Sequence, residues 1–172
     1  MRKVVWLIIA LLLIFMGTIG AWAVTNLDLS GDFLWRDPTS AELANGYSIR
    51  RGVVTFVVDS DTSWQVTVKA DPDKNYSEGA PPQVYFYDEL EGSTGKSVSD
   101  MSWRSFVIDS GSMSSISAQS SWEGFETNGT TASPVASGSP GSGAIVGVDY
   151  KILVDWHTNS GTYKITLTYT LE

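Results

Sequence analysis

Strict alternation of apolar and polar side chains near the end of the sequence is the feature that most constrains the fold. Within residues 162–171 every second residue is apolar, the set being Tyr163, Ile165, Leu167, Tyr169 and Leu171. The intervening positions hold four threonines and a lysine, which suit an exposed pleated surface. Successive side chains of a strand point to opposite faces, so this pattern predicts a strand with one buried face and one face in solvent.

The same period of two appears in the stretch just before it. One face of residues 146–156 is apolar and consists of Val146, Val148, Tyr150, Ile152, Val154 and Trp156. The other face is mainly charged, so a second half-buried strand is predicted here. Residues 157–161 separate the two strands and contain an Asn and a Gly, which tolerate positive φ angles. The sequence therefore predicts a β-hairpin around this segment.

Further strands are predicted along the rest of the chain. Residues 52–58 and 64–70 form a second pair around a turn of Asp, Ser and Thr, and weaker strands cover 27–35, 83–87, 103–108 and 114–119. Residues 39–45 suggest one helical turn, capped by Thr39 or Ser40. About seven to nine short strands indicate an all-β antiparallel β-sandwich, Ig-like or jelly-roll-like. A barrel is less favoured, because the strands are uneven and the loops long.

The start of the chain carries the marks of an export signal. Arg2 and Lys3 precede an uncharged apolar run that ends in Ala21-Trp22-Ala23, a small-x-small pattern that suits signal peptidase. About 20 apolar residues can also just span a bilayer, so an uncleaved anchor is the alternative. Glycines near the end of the run favour cleavage. The sequence thus predicts a signal peptide over 1–23 and a single domain over 24–172, secreted or held at the cell surface.

Composition excludes several classes of function. The formal net charge of −8 argues against a nucleic-acid partner, because phosphates require a basic surface. The chain has no cysteine and one histidine, so disulfides and thiolate or imidazole metal centres are not expected. Residues 120–143 are rich in Ser, Gly and Thr. We expect this stretch to form the longest loop, and its part from residue 127 to 143 to be mobile and to contribute nothing to the core.

Two stretches of the sequence carry a family resemblance. They are residues 54–68, VTFVVDSDTSWQVTV, and the ending Trp156…Gly161-Thr162-Tyr163…Tyr169-Thr170-Leu171. Both resemble exported prokaryotic β-sandwich proteins of cell surfaces and fibres, namely WxL-like surface domains, fimbrial or pilus-type subunits and biofilm-fibre proteins. The resemblance implies a last strand opened by a Gly-x-Tyr turn and a structural role outside the cell. The Trp-x-Leu signatures of true WxL domains are missing, which leaves peptidoglycan attachment without support.

An acidic loop offers the candidate cation site. Asp71, Asp73 and Asn75 place oxygen ligands at alternate positions, as calcium loops do. Tyr76 stands where an EF-hand has its glycine, and Pro82 stands where it has its glutamate, so this loop is not an EF-hand. Calcium in an irregular loop is one expectation, and an ordinary solvated turn is the alternative. No other cofactor is expected.

Aromatic residues give the candidate carbohydrate site. Trp122 lies outside any strong strand, while Tyr85 and Tyr87 share one side of theirs, so these three are candidates to stack on sugar rings. Separately, Asn75 and Asn128 begin Asn-x-Ser/Thr triplets and are candidate glycosylation sites. These positions predict contact with glycans, either bound or attached.

A catalytic centre is not expected. The candidates for acid–base chemistry are the pairs Glu89–Glu91 and Glu123–Glu126 and the lone His157. Hydrolysis of a glycoside needs two carboxylates at a set separation with one raised pKa, and nothing in the sequence indicates burial of either pair. A serine nucleophile elbow is absent from the sequence as well. The sequence therefore predicts a protein that is not an enzyme.

The segment that cleavage would free suggests how copies assemble. Leu27, Leu29 and Phe33 lie in phase on one side of it. Open sheets have edges with unpaired backbone groups, and exported fibres use them to add a strand from the next subunit. Pairing within its own chain is the alternative. We expect a non-catalytic extracellular structural protein, a surface or filament subunit that self-associates into a homopolymer or joins other surface proteins. A secreted carbohydrate-binding or adhesion module is the alternative function.

Overall fold

A computed structural model describes residues 25–30, 38–88, 92–155 and 164–172. The predicted signal peptide over 1–23, Phe33, the Glu89–Glu91 pair and His157 lie outside the described residues. Within the described ranges, no helix combines the length and the apolar character needed to cross a membrane. Regular structure in these ranges comprises twelve strands, one α-helix and two short 3₁₀ turns.

The described chain is almost entirely β-structure, which confirms the predicted fold class. In chain order the elements are β1 Thr25–Ser30, α1 Ser40–Asn45, β2 Tyr47–Ser60, β3 Trp64–Lys69, β4 Tyr76–Glu78, β5 Gln83–Asp88, β6 Gly92–Ser97, β7 Met101–Asp109, β8 Ile116–Ala118, β9 Glu123–Gly124, β10 Ser133–Gly138, β11 Gly141–Leu153 and β12 Thr168–Leu171. The strands outnumber the predicted seven to nine, because β4, β8 and β9 have only two or three residues and cannot show a clear alternation.

The strands form three antiparallel sheets around one hydrophobic core. The front sheet has the order β1-β2-β11-β7-β9, the back sheet β12-β3-β10-β8, and the small sheet β4-β5-β6. All three supply fully or almost fully buried apolar side chains to the same cluster, including Phe56, Trp103 and Val146 from the front sheet, Trp64, Val66 and Val135 from the back sheet, and Val84 and Phe86 from the small sheet. The arrangement is sandwich-like, with the small sheet closing one side of the core.

The front sheet buries one face as the alternation predicts. On β11, Val146, Val148, Tyr150 and Ile152 are buried, and on β2 the fully buried Phe56 and Val58 lie opposite Val146 and Ala144. Burying an aliphatic or aromatic side chain of this size contributes about 1.5–3 kcal/mol. The pairing of β2 with β11 is therefore the central support of the fold.

The predicted hairpin around residues 157–161 is wrong, and the second predicted strand pair is likewise divided between two sheets. β2 belongs to the front sheet and β3 to the back sheet, and β11 and β12 are separated in the same way. The turn at residues 61–63 thus carries the chain across the core rather than back along the same sheet. A strand's alternation shows which face is buried but not which strand lies beside it. The last strand is also shorter than predicted, since β12 covers only Thr168–Leu171.

The loop predicted over residues 120–143 is wrong for much of that stretch. β10 runs between β3 and β8 there, and its Val135 and Ala136 are buried. Pairing on both sides compensates for the weak β-propensity of Ser, Pro and Gly. Close packing also requires glycine: a Cβ atom at Gly138 would lie 2.6 Å from the buried Trp64 ring. At Gly129, where φ is +61°, it would lie 1.9 Å from the backbone oxygen of Ala70.

The single helical turn forms where it was predicted. Thr39 is its N-cap, and a capping box joins Thr39 to Glu42 in both directions. The Glu42 carboxylate also accepts hydrogen bonds from Ser48 and Arg50. Donation from the Thr39 backbone is the largest cause that lowers the pKa of Glu42, to about 2. The helix ends at Gly46, whose φ of 75° is left-handed.

Candidate functional site

The outer side of the small sheet carries three tyrosines, which we call the tyrosine face: Tyr76, Tyr85 and Tyr87. Tyr76 lies directly opposite Tyr85 in the β4–β5 register, so their side chains share one side of the sheet. Tyr85 and Tyr87 alternate with the buried Val84 and Phe86, which point into the core. The alternation of β5 was predicted from the sequence and is confirmed, and it leaves Tyr87 36% exposed.

Two of these rings are arranged as a pair. The ring centroids of Tyr76 and Tyr87 are 6.1 Å apart and their planes differ by 18°, so the rings are nearly parallel and stacked. Tyr76 occupies β4 and Tyr87 lies diagonally across on β5, a spacing that aromatic side chains can bridge. The two rings therefore form one aromatic pair on this side of the sheet.

Polar side chains of the same sheet hold the tyrosine hydroxyl groups. The Tyr85 hydroxyl donates to Oε1 of Gln83 over 2.9 Å, and the Tyr76 hydroxyl donates to Oε1 of Glu78. The hydrogen bond to Glu78 is the main reason that the pKa of Tyr76 lies above its usual value, since a carboxylate acceptor favours the protonated phenol. Gln83 is opposite Glu78 in the register, so an amide and a carboxylate lie side by side near the rings.

An open cleft of about 360 Å³ adjoins the tyrosine face. Tyr76 and Tyr87 form part of its lining, and the remainder comes from Asp73, Lys74, Asn75, Lys164, Ile165 and Thr166. The residues leading to β12 are tied to the small sheet here. Tyr87 and Lys164 exchange backbone hydrogen bonds of 3.0 and 2.9 Å. Side-chain amide atoms of Asn75 donate to and accept from the Thr166 backbone over 2.8 and 2.7 Å.

The three predicted calcium ligands lie in this turn, where Asp71 and Asn75 make side-chain contacts within the protein, and calcium binding stays a prediction. One Asp71 oxygen accepts from the Asp73 backbone, and the other forms an ion pair with Lys69 over 2.9 Å. That ion pair is the main cause that lowers the pKa of Asp71. The Asn75 side chain is bonded to Thr166 and, over 2.9 Å, to the Asp71 backbone oxygen. Throughout residues 25–30, 38–88, 92–155 and 164–172, no three acidic or histidine side chains are grouped closely enough to hold a metal ion.

The two predicted glycosylation sites differ in their surroundings. The Asn75 amide nitrogen, to which a glycan would be attached, donates to two backbone oxygens in the base of the cleft. Asn128 uses its side-chain oxygen to accept from the backbone and the hydroxyl of Thr130, both over 3.0 Å. A glycan on Asn75 would disturb the turn, whereas Asn128 lies partly exposed in a connecting segment. Modification at Asn128 stays a prediction.

The predicted sugar-stacking set is divided between two places. Trp122 is half-buried against the outer side of the front sheet, where the Arg104 guanidinium and the Lys151 ammonium each lie 4.8 Å from its ring centroid. Arg104 also makes two hydrogen bonds, of 2.8 and 2.9 Å, to one oxygen of the buried Asp149. The other oxygen of Asp149 accepts from the Gly52 backbone over 2.8 Å. Two cationic side chains of the protein itself therefore lie over the Trp122 ring.

The first strand lies at an edge of the front sheet. β1 pairs with β2 of its own chain, as the alternative prediction had it, and aligns Leu27 with Val58 and Leu29 with Phe56. Leu27 is partly buried against the core, while Leu29 is 44% exposed. β1 therefore adds six residues of backbone pairing but little apolar burial.

The carboxylate pair at Glu123 and Glu126 serves local contacts. Glu123 accepts a hydrogen bond from Gln119 over 2.7 Å, and Glu126 accepts one from the Thr131 hydroxyl over 2.7 Å. Both side chains are exposed to solvent. These contacts give the pair a structural role in the turns around β9.

Within its described ranges the chain is a sandwich-like all-β protein with an exposed aromatic face and an adjoining cleft. No protein-family model matches the sequence, and no curated protein matches it either. Sequence reasoning missed Tyr76, Glu78 and Gln83 as members of the tyrosine face. β4 is three residues long, too short for alternation to show that Tyr76 faces the same way as Tyr85.

Proposed function

We propose that this chain is a non-catalytic extracellular structural subunit that assembles by adding its first strand to the next copy. In this proposal, residues 1–23 direct export, and the domain that follows acts at the cell surface or in a filament. The observation that best supports this proposal is the position of β1 at the edge of the front sheet. This strand follows directly on the predicted signal peptide and pairs with β2 along all six of its residues.

The energetics of β1 support exchange between copies. Its half-buried Leu27 contributes on the order of 1 kcal/mol of apolar burial, since complete burial of a leucine contributes about 1.5–3 kcal/mol. A β1 strand from another copy would form the same register with β2 and cover the same edge. The contacts are identical whether β1 pairs with its own β2 or with that of another copy. The free energy lost when β1 leaves its own β2 is therefore largely regained when it pairs with the next copy. The uncovered edge of β2 would otherwise expose unpaired backbone groups.

The geometry of the connection also supports exchange. Seven residues separate Ser30 from Pro38, and a fully extended chain of that length spans at most about 25 Å. That reach is comparable to the width of a small domain. A neighbouring copy in contact with this edge is therefore within range of the strand.

A cysteine pair distinguishes strand exchange from pairing within one chain. Asp28 and Val57 are opposite each other in the β1–β2 register, and the natural chain has no cysteine. We expect the double variant Asp28→Cys/Val57→Cys, oxidised after assembly at the surface or in the medium, to give a ladder of covalent oligomers on a non-reducing gel. The matched control Tyr47→Cys/Leu153→Cys joins β2 to β11 and should yield monomers only.

Two results would contradict the proposal. One is a cross-linked β1–β2 variant that runs only as a monomer. The other is an electron-microscopy comparison in which a variant lacking residues 24–33 forms the same filaments as the native protein. A hydrolytic activity in the purified protein that disappears in Glu123→Gln or Glu126→Gln would refute its non-catalytic part.

A further inference from the structure

We propose that the tyrosine face and its cleft bind the pyranose rings of an uncharged glycan. The inference does not depend on strand exchange, because the small sheet shares no strand with the β1–β2 edge. It uses the near-parallel Tyr76 and Tyr87 rings, the side chains Glu78 and Gln83, and the groups that line the adjoining cleft.

The rings provide the apolar part of the contact. A pyranose ring presents C–H groups on its flat sides, and these pack against the electron-rich face of an aromatic ring. Tyr76 and Tyr87 are stacked, 18° from parallel with centroids 6.1 Å apart, and Tyr87 is 36% exposed, so a sugar unit can pack against the accessible part of this pair. Tyrosine suits this role because its hydroxyl group remains hydrated or hydrogen-bonded while its ring makes the contact.

Planar polar groups beside the rings provide the hydroxyl contacts. Glu78 and Gln83 are opposite each other and already accept hydrogen bonds from Tyr76 and Tyr85, which orients them. The Gln83 amide nitrogen can donate to a sugar hydroxyl, and the Glu78 carboxylate can accept from one. A site built from aromatic walls with a few oriented polar groups is typical of small-molecule recognition.

The charge of the cleft favours an uncharged sugar. Lys74 and Lys164 line it together with Asp73, and Glu78 stands beside it on β4. Two cations and two anions balance, so the site has no excess positive charge for an acidic glycan, and the chain as a whole carries −8. Sugar hydroxyls can donate to carboxylates and accept from ammonium groups, so an uncharged ligand satisfies both.

The backbone around the cleft is held in place before any ligand arrives. The reciprocal hydrogen bonds of Tyr87 with Lys164, and of Asn75 with Thr166, fix the two walls relative to each other. Val84 and Phe86, fully buried beneath the tyrosines, hold the sheet to the core. Preorganised walls reduce the entropy lost on binding.

Titration calorimetry with defined hexasaccharides tests the site. The probes are cellohexaose, maltohexaose, xylohexaose, mannohexaose and chitohexaose, with hexagalacturonate as the acidic comparison. We expect at least one uncharged probe to bind the full-length protein, and Tyr87→Ala or Tyr76→Ala to weaken that binding at least tenfold. Tyr47→Ala is the matched control, because Tyr47 is a 40% exposed tyrosine on β2 and its loss should change affinity less than twofold. Trp122→Ala should behave like the control.

Chemical footprinting of the natural protein avoids dependence on variants. Tetranitromethane nitrates accessible tyrosines, and we expect the bound hexasaccharide to slow nitration of Tyr87 while nitration of Tyr47 is unchanged. The proposal is overturned if no uncharged probe binds below 10 mM, if hexagalacturonate alone binds, or if Trp122→Ala abolishes binding that Tyr87→Ala leaves intact. Equal nitration of Tyr87 with and without the bound probe would also overturn it.

Discussion

Trp122 and the tyrosine face are aromatic regions outside the core, and they differ in what covers their rings. The Trp122 ring lies against the front sheet with Arg104 and Lys151 over it. The tyrosine face has Tyr76 and Tyr87 beside an open cleft, with its polar partners at the hydroxyl ends of the rings. An aromatic residue outside the core thus becomes a candidate binding surface only when neighbouring strands leave its ring faces uncovered.

Removing a buried side chain beneath either region should have the largest effect on stability. Trp103→Ala and Phe86→Ala each delete a fully buried ring, so each should lower the free energy of unfolding by about 3–5 kcal/mol. We expect the losses to differ in place. Hydrogen exchange should show Phe86→Ala opening β4 to β6 while β2 and β11 stay protected, whereas Trp103→Ala should weaken β2 and β11 too. Equal loss of protection everywhere in both variants would contradict a separable small sheet.

A substitution in the segment packed behind the tyrosine face should have the next largest effect on the free energy of unfolding. Gly129 has a φ of +61°, and a Cβ atom there would collide with the Ala70 backbone oxygen and approach Val84. We expect Gly129→Ala to lower the free energy of unfolding by about 3 kcal/mol, measured by urea denaturation.

Gly46→Ala is the control for this steric effect. Gly46 has a φ of +75° with nothing within 4 Å of its Cβ position, so only the conformational cost of about 1 kcal/mol applies. Equal effects at Gly46 and Gly129 would show that the contact with Ala70 is unimportant.

The ionic support of Trp122 should contribute less. Asp149→Ala removes the acceptor for both Arg104 and the Gly52 backbone, so we expect a loss of about 2 kcal/mol in thermal or urea unfolding. Asp100→Ala, which breaks a more exposed pair with Lys96, should cost less than about 0.5 kcal/mol. A loss at Asp149 no greater than the loss at Asp100 would show that the Trp122 region needs no such support.

A partly buried pair of tyrosines, Tyr150 and Tyr169, allows the smallest and most selective test. The hydroxyl groups of Tyr150 and Tyr169 share a hydrogen bond, and burial raises the pKa of both. The folded state therefore favours their neutral forms; this stabilisation is complete below pH 10 and is lost as the pH rises above it. Ultraviolet titration should show two tyrosines that ionise only on unfolding. Tyr150→Phe should cost about 1 kcal/mol and flatten this alkaline dependence.

Sequence reasoning identified the fold class and the buried faces, because alternation depends on each strand alone. The inward set on β11 and the outward Tyr85 and Tyr87 on β5 were both read in this way. Sheet assignment was missed, since a turn such as 61–63 has the same composition whether it reverses a strand or crosses the core. The β10 strand was missed because its stability comes from β3, β8 and the Trp64 ring rather than from its own Ser, Pro and Gly.

The candidate site was only half predictable for a related reason. Tyr85 and Tyr87 belong to one strand, but Tyr76 reaches the site through the pairing of the short β4 with β5. The residues around Lys164 reach it through a bridge to Tyr87, which is distant in the sequence. The surroundings of Trp122 were not predictable, because Arg104 and Lys151 come to it from β7 and β11 and nothing near Trp122 in the sequence shows their approach.

The pairing of β2 with β11 has a consequence for the time at which the protein can fold. The Gly52 amide and the Asp149 carboxylate that fix this pairing are 97 residues apart. A polypeptide that is still being synthesised or translocated lacks β11, the partner of β2, until nearly the whole chain has emerged. Contacts between residues so far apart in the sequence also form slowly. A chain that stays loose until its last third is available would suit passage through a narrow translocation channel, which the export proposed for this protein requires.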